Sequence, residues 1–443
     1  MSRSFERSGA LFERAMRSIP LASQTFSKSV THLPKGVAPL FLERGKGSEV
    51  WDVDGNRYVD YVNALAAVTL GYADADVDAA VREQLESGVT FSLSHKIECE
   101  VAEALVELIP CAEKVRFGKN GSDATTAAIR LARAHTGRDH VAVCGYHGWQ
   151  DWYIGTTSRN LGVPEATREL SHAFTYNDLA SLESLFAAYP DQFAAVILEP
   201  MSYVYPRAGF LEGVRDLTHR NGALLVFDET LTGFRFALGG AQALFDVTPD
   251  LATFGKGVAN GFPLSILVGS SEVMRWMEEI FFSTTFGGET LSLAAARAVI
   301  TKMRKEPVIE TMAARGQRLQ AGFAALLEKH QADDLISIAG HPALSYLGFA
   351  DREPFTSWEI KTYFLQEVFE RGVLTVGGHN LSYAHTEEDI EATLGVYDEV
   401  IGRLAECVSK GNLREQLRCE PLEPLFRVRE AQDPRQTSSE EEL

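Results

Sequence analysis

Three residues with strong chemistry stand directly after three short apolar runs. AAVIL leads into Glu199-Pro200, ALLVF into Asp228-Glu229, and LATF into Gly255-Lys256-Gly257. Taken singly, each has an ordinary explanation: an acidic residue there caps the next helix, and a lysine between glycines sits in a solvated loop. Their shared position weighs against that. Continuous apolar runs separated by helices form a mostly parallel sheet buried on both faces, and the ligand crevice of such a sheet lies outside the carboxyl ends of its strands. Two carboxylates and one amine are therefore expected at one crevice.

Two more units lead to the same edge. VRFGKNGSDATTAAIRLA reads as a strand, a glycine turn and a helix from about Ser122. The backbone N–H groups of Gly121, Ser122 and Asp123, the Ser122 hydroxyl and the positive helix end suit an anion, although a plain serine N-cap gives the same pattern. VAVCGYHGWQDW ends in Tyr146-His147-Gly148 and two tryptophans, expected to form an aromatic lid. An anion cradle, an aromatic partner, a carboxylate and an amine together suit a phosphorylated ring cofactor such as pyridoxal phosphate. Its aldehyde condenses with a lysine amine, and an aspartate keeps its ring nitrogen protonated so that the ring accepts electrons. Rival motifs fail: Gly118-Lys119 and Gly255-Lys256 lack the Ser or Thr of a P-loop, and neither H-E-x-x-H nor G-x-S-x-G occurs.

The elements that must position these residues fall into four stretches. Residues 1–60 read as a helix over 5–19 and a hairpin around Asp54-Gly55, joining the smaller domain. Residues 61–300 form the α/β large domain, with helices near 98–108 and 122–134 and the strands VRF, VAV, AAVIL, ALLVF and SILVG. Residues 301–412 form a smaller α+β domain with helices over 308–329 and 390–405, and 413–443 read as a polar acidic tail.

Composition narrows the function. The chain has 42 Lys plus Arg against 61 Asp plus Glu, a net charge of -19, which argues against nucleic-acid binding; it reads first as a plain solvated surface, and it would also suit a cationic small molecule. Five cysteines without C-x-x-C spacing give neither a disulfide framework nor a zinc ribbon, so no metal is expected. With no secretory h-region and no stretch near 18 apolar residues, a cytoplasmic protein without a membrane span is expected.

In order along the chain, PLFLERGKGSEVWDVDGNRYVDYV, NGSDATTAAIRLARAHTGRDH, YHGWQD, ILEP, LLVFDETLTGFR, TPDLATFGKGVANGFP and TTFGGETLSLAAA resemble the class III, fold-type-I pyridoxal-phosphate aminotransferases. The resemblance covers about residues 5–405 and is nearest the branch that includes glutamate-1-semialdehyde 2,1-aminomutase. It implies that Lys256 joins the cofactor aldehyde, Asp228 pairs with the ring nitrogen and Glu199 is the active-site glutamate. By the same resemblance Tyr146 stacks on the ring beside His147, Gly121 and Ser122 hold the phosphate with the Asp123 N–H beside them, and Thr230 stands where the family has a valine against the other ring face. Thr285 matches a threonine that reaches the neighbouring subunit's cofactor, which implies a homodimer with shared sites. Lys28, Trp149 and Glu289 are candidate substrate contacts.

Lys28 stands where aminomutases carry the arginine that holds a substrate carboxylate, and a lysine lacks that bidentate fork. The expected reaction is therefore transfer from a donor, glutamate by resemblance, to a sugar-derived aldehyde or ketone, as in aminoglycoside or polysaccharide biosynthesis. An aminomutase or epimerase uses the same first residues and stays open. A cofactor-binding protein without catalysis has no use for Lys256 and Asp228 together.

Overall fold

Strands whose every residue is buried build the sheet that carries the site. The computed structural model describes residues 3–424, which form two units: residues 79–303, and residues 3–78 with 304–424. In the first, the strands are β1 (Lys114–Gly118), β2 (His140–Cys144), β3 (Ser171–Ala173), β4 (Phe193–Leu198), β5 (Leu224–Asp228), β6 (Leu251–Phe254) and β7 (Ser265–Gly269), in the spatial order β1-β7-β6-β5-β4-β2-β3. No residue of β4, β5, β6 or β7 is exposed, as expected of a sheet covered on both faces. Strands β6, β5, β4, β2 and β3 pair in parallel.

SILVG departs from the expected parallel pattern: β7 is antiparallel to both β6 and β1. Only residues 255–264 separate it from β6, too few for a crossover, which takes a dozen or more residues. Strand β3 was not foreseen. Helix α1 (Gly121–Thr136) packs Ala124, Ala127, Ala128, Ile129, Leu131 and Ala132 against Val141, Val143, Ala194 and Ile197 of the sheet. Its alanines let it lie close, which fixes where its first turn meets the strand ends.

In the other unit the hairpin strands Glu49–Asp52 and Arg57–Asp60 pair antiparallel, with Val50 opposite Tyr58. The Asp52 carboxylate accepts the Asp54 and Asn56 N–H groups, and Gly55 takes the left-handed turn position at φ +87°. Residues 57–60 also pair in parallel with Val373–Leu374, so the N-terminal hairpin and the C-terminal stretch share a sheet. Residues 61–78, expected in the large domain, belong here. The Asp60 carboxylate accepts from Tyr72 Oη (2.6 Å), and Asn63 Nδ2 donates to the Asn380 carbonyl (2.5 Å). Helices Val308–His330, Ser357–Glu370 and Glu387–Ser409 and the antiparallel strands Ile336–His341, Leu344–Phe349 and Gly378–Asn380 complete the unit.

The expected tail begins later than residue 413. Leu413 is fully buried and Leu422 nearly so, Arg414 Nε pairs with Glu359, and the Leu422 N–H donates to Thr362 Oγ1, all against helix Ser357–Glu370. The rest of the acidic stretch, from residue 425, lies outside the described residues. The cysteines Cys99, Cys111, Cys144, Cys407 and Cys419 are free thiols. Among the described residues no helix is long and apolar enough to cross a membrane, and no cluster of three His, Cys, Asp or Glu could hold a metal ion.

Leu413→Ala is expected to lower stability by about 2–5 kcal/mol in chemical denaturation, the usual loss for a buried leucine truncated to alanine. An unchanged midpoint would show that the strap adds nothing to the fold.

Candidate active site

Asp228 is the last residue of β5 and is only 3% exposed. Its Oδ2 lies 2.9 Å from His147 Nδ1, and its Oδ1 accepts from Thr253 Oγ1 (3.0 Å) and the Thr230 N–H (3.1 Å). Burial alone would raise its pKa. The His147 hydrogen bond and charge, with Thr230, outweigh burial and leave Asp228 below the usual carboxylate range. His147 is 1% exposed, and its Nε2 faces the Cys144 carbonyl at 3.2 Å. A carboxylate and a carbonyl both accept, so both contacts are made when the ring carries two protons. His147 is thus part of the floor beside Asp228 and not of a lid.

Glu199 follows β4 and accepts the Tyr146 N–H at Oε2 (3.0 Å). Its neighbour Gly145 has φ +108°, and a Cβ there would stand 2.5 Å from that same oxygen, so the turn after β2 requires glycine. Burial and then the Asp228 charge raise the Glu199 pKa. Lys256 follows β6 in a left-handed conformation (φ +44°), a strain on the order of 1–2 kcal/mol for a side-chain-bearing residue. Among the described residues its amine has no hydrogen-bond partner. Burial lowers its pKa, against the pull of Glu199 and Asp228 and with the help of the buried Arg235. A lowered pKa enlarges the neutral, nucleophilic share of an amine.

The anion cradle lies at the first turn of α1. The N–H groups of Gly121 and Ser122 have no acceptor among the described residues, and the Ser122 hydroxyl makes no hydrogen bond. A Cβ on Gly121 would meet Thr230 Cγ2 at 3.1 Å, and one on Gly255 would meet it at 3.3 Å, so both positions keep this space small and open to backbone donors. The Thr230 side chain favours the Asp228 charge, yet its buried Oγ1 makes no hydrogen bond of normal geometry. Free donors at a helix start, an orphaned hydroxyl, an unpartnered amine and an ionised carboxylate form a donor set that suits pyridoxal phosphate. The Tyr146 ring, 52% exposed, is free to stack on it.

Other expected residues serve elsewhere. The Asp123 N–H donates to the Asn120 carbonyl, and its carboxylate accepts the Lys119 and Asn120 N–H groups; it holds the loop and would repel a phosphate. Glu289 is paired with Lys119 (2.9 Å) and accepts from Ser292 Oγ (2.7 Å) and the Leu291 N–H (2.7 Å), capping helix α2 (Thr290–Lys305); it is not free to hold a substrate. Glu229 caps Ala241 and Gln242. Of the two tryptophans, Trp152 is core and donates to Thr126 Oγ1, whereas Trp149 is 66% exposed. Thr285 is exposed, and Lys28 ends a single turn (Phe26–Lys28) in the other unit, with its charge near Asp60.

Sequence reasoning missed Thr253, Arg235 and Thr125, whose hydroxyl donates to the His147 carbonyl at 2.8 Å. A lone threonine in LATF and an arginine in the apolar GFRFAL were the available signals.

Residues 32–388 match the family described as Aminotransferase class-III. A 3-aminobutyryl-CoA aminotransferase of Cloacimonas acidaminovorans (strain Evry) is 35% identical over 408 residues, 90% of this chain and 97% of its own length. Glutamate-1-semialdehyde 2,1-aminomutase 1 of Bacillus cereus (strain G9842) is 34% identical over 431 residues, covering 90% and 99%. The FumI protein of Sphingopyxis sp. MTA144 superposes with a TM-score of 0.85 at 31% identity, over 94% of this chain and 98% of its own.

Borohydride reduction of the loaded protein followed by peptide mapping is expected to find the cofactor on Lys256, and Lys256→Ala should remove that adduct; a label on another lysine would reject the assignment. Asp228→Asn should keep the fold and some cofactor but lose turnover by roughly 100-fold or more, since an amide cannot hold the ring nitrogen's proton by ionic pairing. Near-normal turnover would remove Asp228 from that role.

Proposed function

The chain belongs to the class-III aminotransferases, a family whose cofactor is pyridoxal phosphate, and from that premise we propose that Lys256, Asp228 and Glu199 carry amino-group transfer between small molecules. The observation behind this reading is the unpartnered Lys256 amine, enclosed beside two carboxylates whose pKa values are pushed in opposite directions. When bound, the cofactor supplies an aldehyde carbon and an electron-accepting ring.

The chain supplies the rest. Lys256 would hold the cofactor through Nζ, and as an amine whose pKa burial lowers it would carry a proton from the donor carbon that bears the amino group to the other side of the transfer. Asp228 keeps a proton at the ring nitrogen, and His147 and Thr253 hold its carboxylate in place. Gly121 and Ser122 would hold the phosphate through N–H groups and a hydroxyl, beside Thr230, whose Cγ2 bounds the same space. Tyr146 covers one ring face. Glu199, with its raised pKa, gives or takes a proton near the donor. The exposed Thr285 reaches a second subunit's cofactor in a homodimer, and the free thiols suit a cytoplasmic setting.

For the acceptor, we propose a sugar-derived aldehyde or ketone of the kind met in aminoglycoside or polysaccharide biosynthesis, with glutamate as donor. Its support is the lysine at position 28 and the net charge of -19, which favours a cationic partner. The aminomutase reading is the second, favoured by the Bacillus cereus relative.

A half-reaction panel separates them. The loaded protein is mixed with glutamate, amino sugars or glutamate-1-semialdehyde, and the visible band of the lysine-bound cofactor is followed. Glutamate and an amino sugar should bleach it. Glutamate-1-semialdehyde should be poorer by about 10- to 100-fold, the cost of losing a charged bidentate contact. Efficient isomerisation of glutamate-1-semialdehyde would establish the second reading instead.

A further inference from the structure

A lysine stands in the turn that leads into the anion cradle, and the steps above give it no part. Lys119 lies between Gly118, the last residue of β1, and Gly121, the first of α1. Its Nζ donates to Glu289 Oε2 (2.9 Å) and to Ser292 Oγ (3.2 Å), and the two charged side chains are 15% and 13% exposed. Burial would raise the Glu289 pKa. Ser292, Lys119 and the Leu291 N–H outweigh it and hold the carboxylate below its usual range. The pair joins positions 170 residues apart in the sequence.

What Glu289 and Ser292 offer is a fixed point. Helix α2 begins at Thr290, whose N–H donates to the Val89 carbonyl (3.0 Å) and whose hydroxyl donates to the Gly88 carbonyl (3.0 Å). Ser292 is buried, as are Leu293, Ala294, Ala295 and Ala296 after it. The stretch entering the helix is held along β1 and α1: Arg116 Nη2 donates to the Phe282 carbonyl (2.9 Å) and Arg130 Nη1 to the Phe281 carbonyl (2.8 Å). A Cβ on Gly287 would stand 3.0 Å from the Phe117 carbonyl, so the two segments touch. Within the turn, the Asp123 carboxylate takes the Lys119 and Asn120 N–H groups, which sets the turn's shape. The Lys119 side chain sets its place, by joining it to the start of α2.

We infer that Lys119 is a positioning residue for the cofactor's phosphate: by anchoring the turn on Glu289 and Ser292, it keeps the Gly121 and Ser122 N–H groups converged on one anion. The inference rests on the reading of this crevice as a pyridoxal phosphate site and deepens it. Lys119 acts through the turn, since Glu289 and Ser292 engage its ammonium. The ring end of the cofactor is assigned to Asp228, Lys256 and Tyr146, which stand on other elements. Loosening the turn therefore weakens the hold on the phosphate alone. One charge-assisted hydrogen bond lost there is worth roughly 10-fold in affinity.

The full chain, stripped of cofactor, is titrated with pyridoxal phosphate and with pyridoxal, which lacks the phosphate. The visible band of the lysine-bound form gives an apparent Kd for each. Lys119→Met should raise the Kd for pyridoxal phosphate about 10-fold while that for pyridoxal stays within about twofold, and Lys119→Arg should recover most of the loss. Glu289→Ala, made on the other side of the pair, should reproduce the same phosphate-specific loss. Ser292→Ala removes a neutral contact only; it should give a smaller loss of the same kind, and it decides the matter if Lys119→Met does not fold. Equal loss for both compounds, or no loss, would overturn the inference by making the pair a general prop or an idle one. Unchanged or tighter binding of pyridoxal phosphate by Glu289→Ala would overturn it too, since Lys119 would then be a direct phosphate ligand. If the unmodified protein forms the lysine-bound band with neither compound, the cofactor-site reading fails and this inference with it.

Discussion

An ionised carboxylate with almost no access to water organises the unit that carries the site. Burying such a charge costs several kcal/mol unless hydrogen bonds and an opposite charge compensate it. Asp228 receives that compensation from three places: His147 in the turn after β2, Thr253 on β6, and the N–H of Thr230 just beyond β5. His147 is held in turn by the Cys144 carbonyl and, through its own carbonyl, by Thr125 of α1. Displacing any of these strand ends would leave the carboxylate short of a partner, so its charge and the sheet's register constrain each other.

The same constraint sorts the protons. Glu199 and Asp228 are both enclosed and repel one another, and only Asp228 has His147 within hydrogen-bond reach. One carboxylate therefore keeps its charge while the other holds its proton more tightly, and burial lowers the pKa of the lysine that feels both charges. Two acids pushed apart beside a lysine of lowered pKa suit the proposed division into ion holder, proton donor and nucleophile.

Much of this was legible because strand ends are. A fully apolar run that stops at a polar residue marks where the sheet ends, so Glu199, Asp228 and Lys256 could be placed on one edge from spacing alone. What could not be read is which polar atoms have other partners. Asp123 and Glu289 carry suitable chemistry, but N–H groups close in sequence, with Lys119 in the case of Glu289, take up their carboxylates. His147 looked like part of an exposed aromatic motif, yet the turn of φ +108° at Gly145 precedes it, and its ring is buried against β5. The reversed strand β7 was missed because an apolar run has no direction, and only the shortness of residues 255–264 betrays it.

A site fixed by strand ends leaves little freedom to choose a substrate. Residues proposed to hold a phosphate, a ring nitrogen and a reacting amine would serve an aminotransferase and an aminomutase equally, since both reactions depend on proton transfer at the carbon that bears the amino group. Discrimination must then come from side chains that the sheet does not dictate. In this unit those are on loops anchored by their own hydrogen bonds, as Asn177 anchors residues 205–207. A loop that is rigid without being part of the sheet can change the side chain it presents at small cost to the fold, because its anchors are largely backbone groups. Chemistry and selectivity can therefore vary separately here: the first is bound to a buried charge that tolerates little, the second to loop side chains that the charge does not need.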